Sequence, residues 1–202
     1  MIFTYMQIGK ARVPTDSELR RLVHGTKAGN NGLRNLGILV CSYKLGLRAK
    51  EISALTVKDV FDERGNLKEE CNLSAMQTKG GKPRMVYLTN PAVRAALKDY
   101  IQWRRTTEGI LFCLESPLFR STKGGGFSAN TTQILLHKLH AFAGIQGGRS
   151  HSGRRHFATN LIAKGVDIKS VSVLMGHASV AMTADYAEDN PQKLRRIAAE
   201  LV

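Results

Sequence analysis

The sequence predicts a mainly helical α+β fold: a helical bundle with a small antiparallel hairpin on one side. Three observations carry this reading. Apolar residues recur at helical spacing through most of the chain, one stretch between Val57 and Leu88 instead alternates around paired glycines, and start and stop signals bracket the helical segments. At 202 residues the chain is long enough for one well-buried domain or one domain with a small appendage.

The elements follow in order. Residues 1–13 show no period and read as an N-terminal arm. Pro14 opens the fold, and Thr15-Asp16-Ser17-Glu18 is a capping box. Its hydroxyl accepts the N–H three residues on while Glu18 reaches back, which starts a helix through Leu22 that Gly25 to Gly32 is expected to break. From Leu33, the residues Leu36, Ile38, Leu39, Val40, Cys41 and Leu45 read as a buried helix ended by Gly46. Arg48 starts a further turn in which Leu47, Ile52 and Leu55 face the core. Arg48 and Glu51, three apart, read there as a surface pair worth about a few tenths of a kcal/mol.

Val57 to Phe61 reads as strand-like, as do the run through Cys71 and Leu73 to Met76 and the segment Arg84 to Leu88. The last two flank Thr78-Lys79-Gly80-Gly81-Lys82, which makes them a hairpin. A ribbon bearing Lys79, Lys82 and Arg84 can hold an ammonium over a phosphate. Asn90-Pro91 starts a helix with Val93, Leu97 and Ile101 on one stripe and Trp103 packed. Leu118-Phe119 is a brief apolar element, and Gly124-Gly125-Gly126 is a loop. Ser128 or Asn130 caps the next helix, with Ile134, Leu135, Leu139 and Phe142 as its stripe.

The stretch from His151 to Tyr186 organises the rest. His151 and Arg154 are three apart, so on a helix both reach one anionic group. After a Ser152–Gly153 break and the apolar run Phe157, Leu161 and Ile162, Gly165 ends one helix and Asp167 starts another. That helix stops at Gly176, which leaves His177 in a turn, and Tyr186 follows nine positions later on a further short helix fed by Ser179. The tail over 190–202 places Leu194, Ile197, Ala198 and Leu201 on one amphipathic face.

Composition narrows the partner. Thirty Lys and Arg against sixteen Asp and Glu give a formal net charge of +14, which favours a polyanion, nucleic acid first, over an acidic small molecule. Cys41, Cys71 and Cys113 lie far apart in contexts that read as helix, strand and strand, so a disulfide framework is not expected. His137 with His140 is a half-site without further ligands, and neither metal nor cofactor is expected. MIFTYMQI lacks a basic lead and a cleavage site, and no run approaches membrane-spanning length, so a cytoplasmic protein without a membrane partner is expected.

Arg48 in Leu45-Gly46-Leu47-Arg48, Lys79 in the glycine hairpin, His151 with Arg154, Gly176-His177 and Tyr186 together resemble the catalytic set of the tyrosine recombinase (phage integrase) family. The likeness runs in order from about Pro14 to Tyr186. It implies a catalytic domain over 14–189 and site-specific cutting and rejoining of double-stranded DNA without metal or ATP. Tyr186 would be the nucleophile, forming a 3′-phosphotyrosyl link that conserves bond energy. Arg48 and Arg154 would stabilise the non-bridging oxygens. Lys79 would protonate the departing 5′ oxygen, and His151 and His177 would position phosphate or move protons.

The resemblance also implies a homo-tetramer on DNA, with the 190–202 tail as exchange element, and a host recombinase or accessory DNA-bending protein as further partner. Two readings stand beside it: a non-catalytic accessory DNA-binding factor, and type IB topoisomerase-like relaxation. Ser152 and Gly153 depart from the acidic and apolar residues usual between the first histidine and second arginine. Most members also carry an N-terminal clamping domain, so binding here is expected to rest on phosphate contacts and to fall steeply with salt.

Overall fold

The computed structural model describes residues 11–78, 80–186 and 199. They fall into two compact units divided between Phe157 and Ala158. The expected arm residues 1–10 and nearly all of the tail over 190–202 lie outside the described residues.

In the first unit, α1 (Asp16–Ala28) starts at the expected box: Glu18 N–H donates to Thr15 Oγ1, and Thr15 N–H donates to Glu18 Oε2 at 2.9 Å. It runs past Gly25, whose bare backbone faces the Phe142 ring, and stops at Gly29, later than the glycine pattern suggests. α2 (Gly32–Leu45) is buried along nearly its whole length, and Gly46 ends it in the left-handed conformation at φ 62°. α2 packs on α1 and on α5 (Pro91–Glu108), which Asn90 caps and which buries Val93, Leu97 and Ile101.

Val57–Val60 is a helical turn, α4, and not a strand. Asp59 accepts the Thr56 N–H at 2.8 Å, a local cap that favours the turn, while Val57 and Val60 are buried three apart. The two true strands are short. β1 (Glu70–Leu73) and β2 (Arg84–Tyr87) pair antiparallel from Glu70↔Tyr87 to Leu73↔Arg84, so residues 74–83 form the connection.

α6 (Ala129–Phe142), capped by Ser128, buries Thr132, Leu136 and His140, one position out of phase with the expected stripe. Ile134 and Phe142 point outward, and only Leu135 and Leu139 of that stripe lie against the core. Trp103 is half exposed and stacks on Tyr100, and Tyr87 is exposed on β2. Cys113 lies exposed in a loop, whereas Cys41 and Cys71 are in the core.

α3 (Ala49–Ala54) begins at the junction on which the site depends. Arg48 occupies its N-cap position, and its backbone N–H donates to Glu51 Oε2 at 2.7 Å. Glu51 is not on the surface: its side chain is fully buried. Arg48 Nη1 donates to Oε1 at 3.1 Å, and Arg84 from the start of β2 forks onto both oxygens, Nε at 3.1 Å and Nη2 at 2.8 Å. Burial alone would raise the Glu51 pKa, but hydrogen bonds and charge from Arg84, then the Arg48 N–H and charge, outweigh it and hold the carboxyl below its ordinary value.

α7 (Ser152–Ala163) begins in this unit and continues into the second. A Cβ at Gly153 would come within 2.7 Å of Tyr43 Cδ2 and 3.0 Å of the Ser42 carbonyl carbon, so the departure from the family's apolar residue has a packing cause: α7 and α2 meet backbone to side chain. Around that contact His156 tilts against Tyr43 at 5.3 Å between ring centres. His140 Nδ1 donates to the Leu136 carbonyl and its Nε2 lies 2.6 Å from the Tyr43 hydroxyl; burial favours the neutral ring, in which Nε2 accepts the Tyr43 O–H. Burial is the foremost cause that lowers the pKa of both histidines.

The second unit contains the rest of α7, α8 (Ile168–Met175) and α9 (Ala181–Ala184). Asp167 caps α8 through the Ser170 N–H, and Gly176 ends it at φ 59°, both at the expected positions. No helix among the described residues is long and apolar enough to cross a membrane.

Three predictions follow from this packing. Gly153→Ala is expected to lose about 1–3 kcal/mol in urea unfolding by overpacking α7 on α2; an unchanged midpoint would show that the two are not in contact. Glu51→Gln is expected to cost about 3 kcal/mol or more by the same measurement, since it leaves two part-buried guanidiniums facing each other, whereas a change within the error of the assay would restore the surface-pair reading. Because the folded pKa values of His140 and His156 lie below the ordinary 6.5, the unfolded chain takes up protons first. Stability is therefore present above that value and lost as pH falls below it, by up to about 1.4 kcal/mol per pH unit for each group. Urea titrations at about pH 7.5 and 5.5 would test this, with His156→Phe reducing the loss; equal stability at both would contradict neutral burial.

Candidate phosphodiester site

The two site arginines read from the sequence are built into the first unit at one short junction. Gly46 turns the chain out of α2, Leu47 is buried, and Arg48 follows as the α3 cap. Arg154 lies in the first turn and a half of α7, is buried, and its Nη1 donates to the Gly46 carbonyl at 2.5 Å. The structure therefore ties Arg154 to the segment that bears Arg48, two residues before it. Each guanidinium is held at one end by a fixed acceptor, Glu51 for Arg48 and the Gly46 carbonyl for Arg154.

His151 is exposed at the position just before α7, where its carbonyl accepts the Arg155 N–H at 2.9 Å. Ser152 and Gly153 are the first helical residues and not a break. Ser152 Oγ accepts the Arg149 N–H at 2.9 Å, which tightens the turn that presents His151. Arg155 is buried.

Lys79 lies outside the described residues. The residue before it is buried and held from three sides. Thr78 N–H donates to Ser74 O, its hydroxyl to Ala75 O, and its carbonyl accepts Lys50 Nζ at 2.9 Å. After it, Gly80 and Gly81 take positive φ of 95° and 69°, conformations that suit residues without a Cβ.

His177 and Tyr186 lie in the second unit. The helix stop at Gly176 delivers His177, whose N–H donates to Ser172 O at 3.1 Å. His177 Nδ1 lies 2.7 Å from Thr183 Oγ1, and the His177 and Tyr186 rings stack at 5.8 Å between centres and 13° between planes. Tyr186 is in the turn after α9, not on the helix itself, and its N–H donates to Thr183 O at 3.0 Å.

Sequence reasoning passed over Glu51 as a site element and Thr183, and it placed Arg84 on the phosphate-facing ribbon without its contact to Glu51. Signals for them were present: an acid three residues after the arginine, a second arginine at the base of the glycine hairpin, and a hydroxyl three residues before the tyrosine. Among the described residues no group of three or more His, Cys, Asp or Glu side chains could hold a metal ion.

The tyrosine recombinase XerD of Mycobacterium leprae is 35% identical over 170 residues, 82% of this chain and 51% of that protein. The crystal structure of XerA recombinase matches 93% of this chain and 64% of that chain with a TM-score of 0.72 at 27% identity. XerH site-specific recombinase bound to palindromic difH substrate, a post-cleavage complex, shares the fold with a TM-score of 0.70 over 98% of this chain and 55% of that one, at 24% identity. The chain spans about half the length of the curated XerD that it matches. The family model described as the phage integrase family takes in residues 12–193, from just before the capping box to beyond Tyr186, and the chain belongs to that family.

Proposed function

We propose that this protein is a site-specific DNA strand transferase that cuts and rejoins double-stranded DNA through Tyr186, without metal or ATP. The observation that supports it most is the Gly46–Arg48 junction, where one short segment bears one guanidinium and anchors another. Guanidiniums of fixed direction suit the non-bridging oxygens of a phosphodiester, whose charge grows as phosphorus becomes pentacoordinate. A net charge of +14 supports a polyanionic substrate, and the XerH recombinase of similar fold is bound to its palindromic difH substrate.

In this reading Tyr186 Oη bonds to phosphorus as the bond to the 5′ oxygen breaks. The phenolic proton passes to His151 or His177, and Lys79 gives a proton to the departing oxygen. The products are a 3′-phosphotyrosyl link and a 5′ hydroxyl, and attack by a different 5′ hydroxyl reverses the step on a new strand. Exchange between two sites calls for an assembly on DNA, which we assign to a tetramer with the 190–202 tail as its exchange element. A host recombinase or DNA-bending protein belongs to the same assembly, and all of this takes place in the cytoplasm.

The experiment uses a duplex enriched by binding to the protein from a random-sequence library, then nicked and incubated with the protein in EDTA. A denaturant-resistant DNA–protein band is expected, and Tyr186→Phe is expected to abolish it while DNA binding stays the same. A bound duplex that never yields the band would overturn the proposal and leave a non-catalytic DNA-binding factor.

A further inference from the structure

Tyr186 follows a helix of only four residues, and one turn of helix does not stand in water by itself. Thr183 makes two of the contacts that hold it. Its carbonyl accepts the Tyr186 N–H at 3.0 Å, which fixes the turn that presents the phenol. Its hydroxyl, on a side chain with no solvent exposure, lies 2.7 Å from His177 Nδ1. Among the described residues the imidazole is restrained through its backbone N–H to Ser172, through Nδ1 to Thr183, and across its face by the parallel Tyr186 ring.

An imidazole whose Nδ1 is taken by a buried hydroxyl meets substrate through Nε2, because the partner of one ring nitrogen sets the tautomer and direction of the other. We propose that Thr183 is a positioning residue for strand cleavage: it fixes His177 with Nε2 toward the DNA and, from the same residue, fixes the turn that carries Tyr186. This rests on the reading of Tyr186 as nucleophile and His177 as a residue of the reaction. Thr183 touches neither phosphorus nor the leaving oxygen. It transfers no proton, so cleavage keeps the balance already given: a bond from Tyr186 Oη to phosphorus forms and the bond to the 5′ oxygen breaks. Fixing both groups through one side chain matters because attack must be in line, and misplacement by about 1 Å costs roughly a hundredfold in rate.

The test compares Thr183→Val, which keeps the shape and removes the hydroxyl, with Thr183→Ser, which keeps the hydroxyl. Single-turnover formation of the covalent band is followed across pH on the enriched, nicked duplex, with His177→Gln as the reference that lacks the imidazole. Thr183→Val is expected to be slower by about ten- to a hundredfold with unchanged DNA affinity. Its pH–rate profile is expected to lose or shift the limb that His177→Gln removes, and Thr183→Ser is expected to restore both rate and limb. A Thr183→Val profile that superimposes on the unmodified one, whether at equal rate or uniformly slower, would overturn the proposal while leaving the nucleophile reading intact. Failure of the unmodified chain to form any band on bound DNA would remove that reading and this proposal with it.

Discussion

A carboxylate withdrawn from solvent between two guanidiniums is the constraint on which the cationic half of the site depends. Glu51 caps the helix that Arg48 begins, accepts one N–H from the Arg48 side chain, and receives a two-pronged contact from Arg84. One side chain thereby sets the start of α3, the direction of Arg48 and the position of the first residue of β2. The burial cost of a single acid is large, and it is met here only because both partners arrive with good geometry. Together the three groups keep a net positive charge, so the arrangement orders Arg48 without neutralising the site.

Arg154 is held by a different device with the same effect. Its acceptor is the carbonyl of Gly46, the residue whose left-handed backbone ends α2. A helix stop thus serves twice, releasing the chain toward Arg48 and exposing a carbonyl for the second arginine. Gly153 makes this reach feasible, since a larger residue there would push α7 away from α2. Guanidiniums oriented in advance by fixed acceptors need little reorganisation when charge develops on a phosphate, which is where electrostatic catalysis gains most. The hairpin base is held to the same helix turn, through Lys50 to Thr78 on one leg and Arg84 to Glu51 on the other.

What could be read from the sequence were features with local causes. The Thr15 box, the stops at Gly46 and Gly176, the Asp167 cap and the Asn90-Pro91 start depend on neighbours within a few residues, and the structure places them as expected. The readings that failed depend on distant partners. Valines at 57 and 60 suit a strand by propensity, but the Asp59 cap and burial of both favour a helical turn. The α6 stripe was out of phase because His140 and Thr132, polar by type, are buried, His140 against Tyr43 far away in sequence. Glu51 looked like a surface acid because nothing near it in sequence announces Arg84, thirty-three residues on. Thr183 was hidden for a related reason, its role existing only once the fold brings the His177 ring against its hydroxyl.

In the proposed reaction the arginines and the nucleophile belong to different units, and the two tasks tolerate different displacements. Cations that stabilise charge act over several ångströms and are well served by a large core that fixes them once. A nucleophile must lie in line with the bond it breaks, so small displacements govern whether it reacts at all. Tyr186, the nucleophile of the proposed reaction, follows a short helix, and among the described residues it is held by the Thr183 carbonyl, the His177 ring and the α8 stop that presents that ring. Elements held by few contacts lie at the low-stability end of a fold, where an assembly can shift their population at small cost in free energy. In the proposed strand exchange a nucleophile built this way answers a need, because an unpartnered copy that cleaved DNA would leave a break with no second strand to receive it.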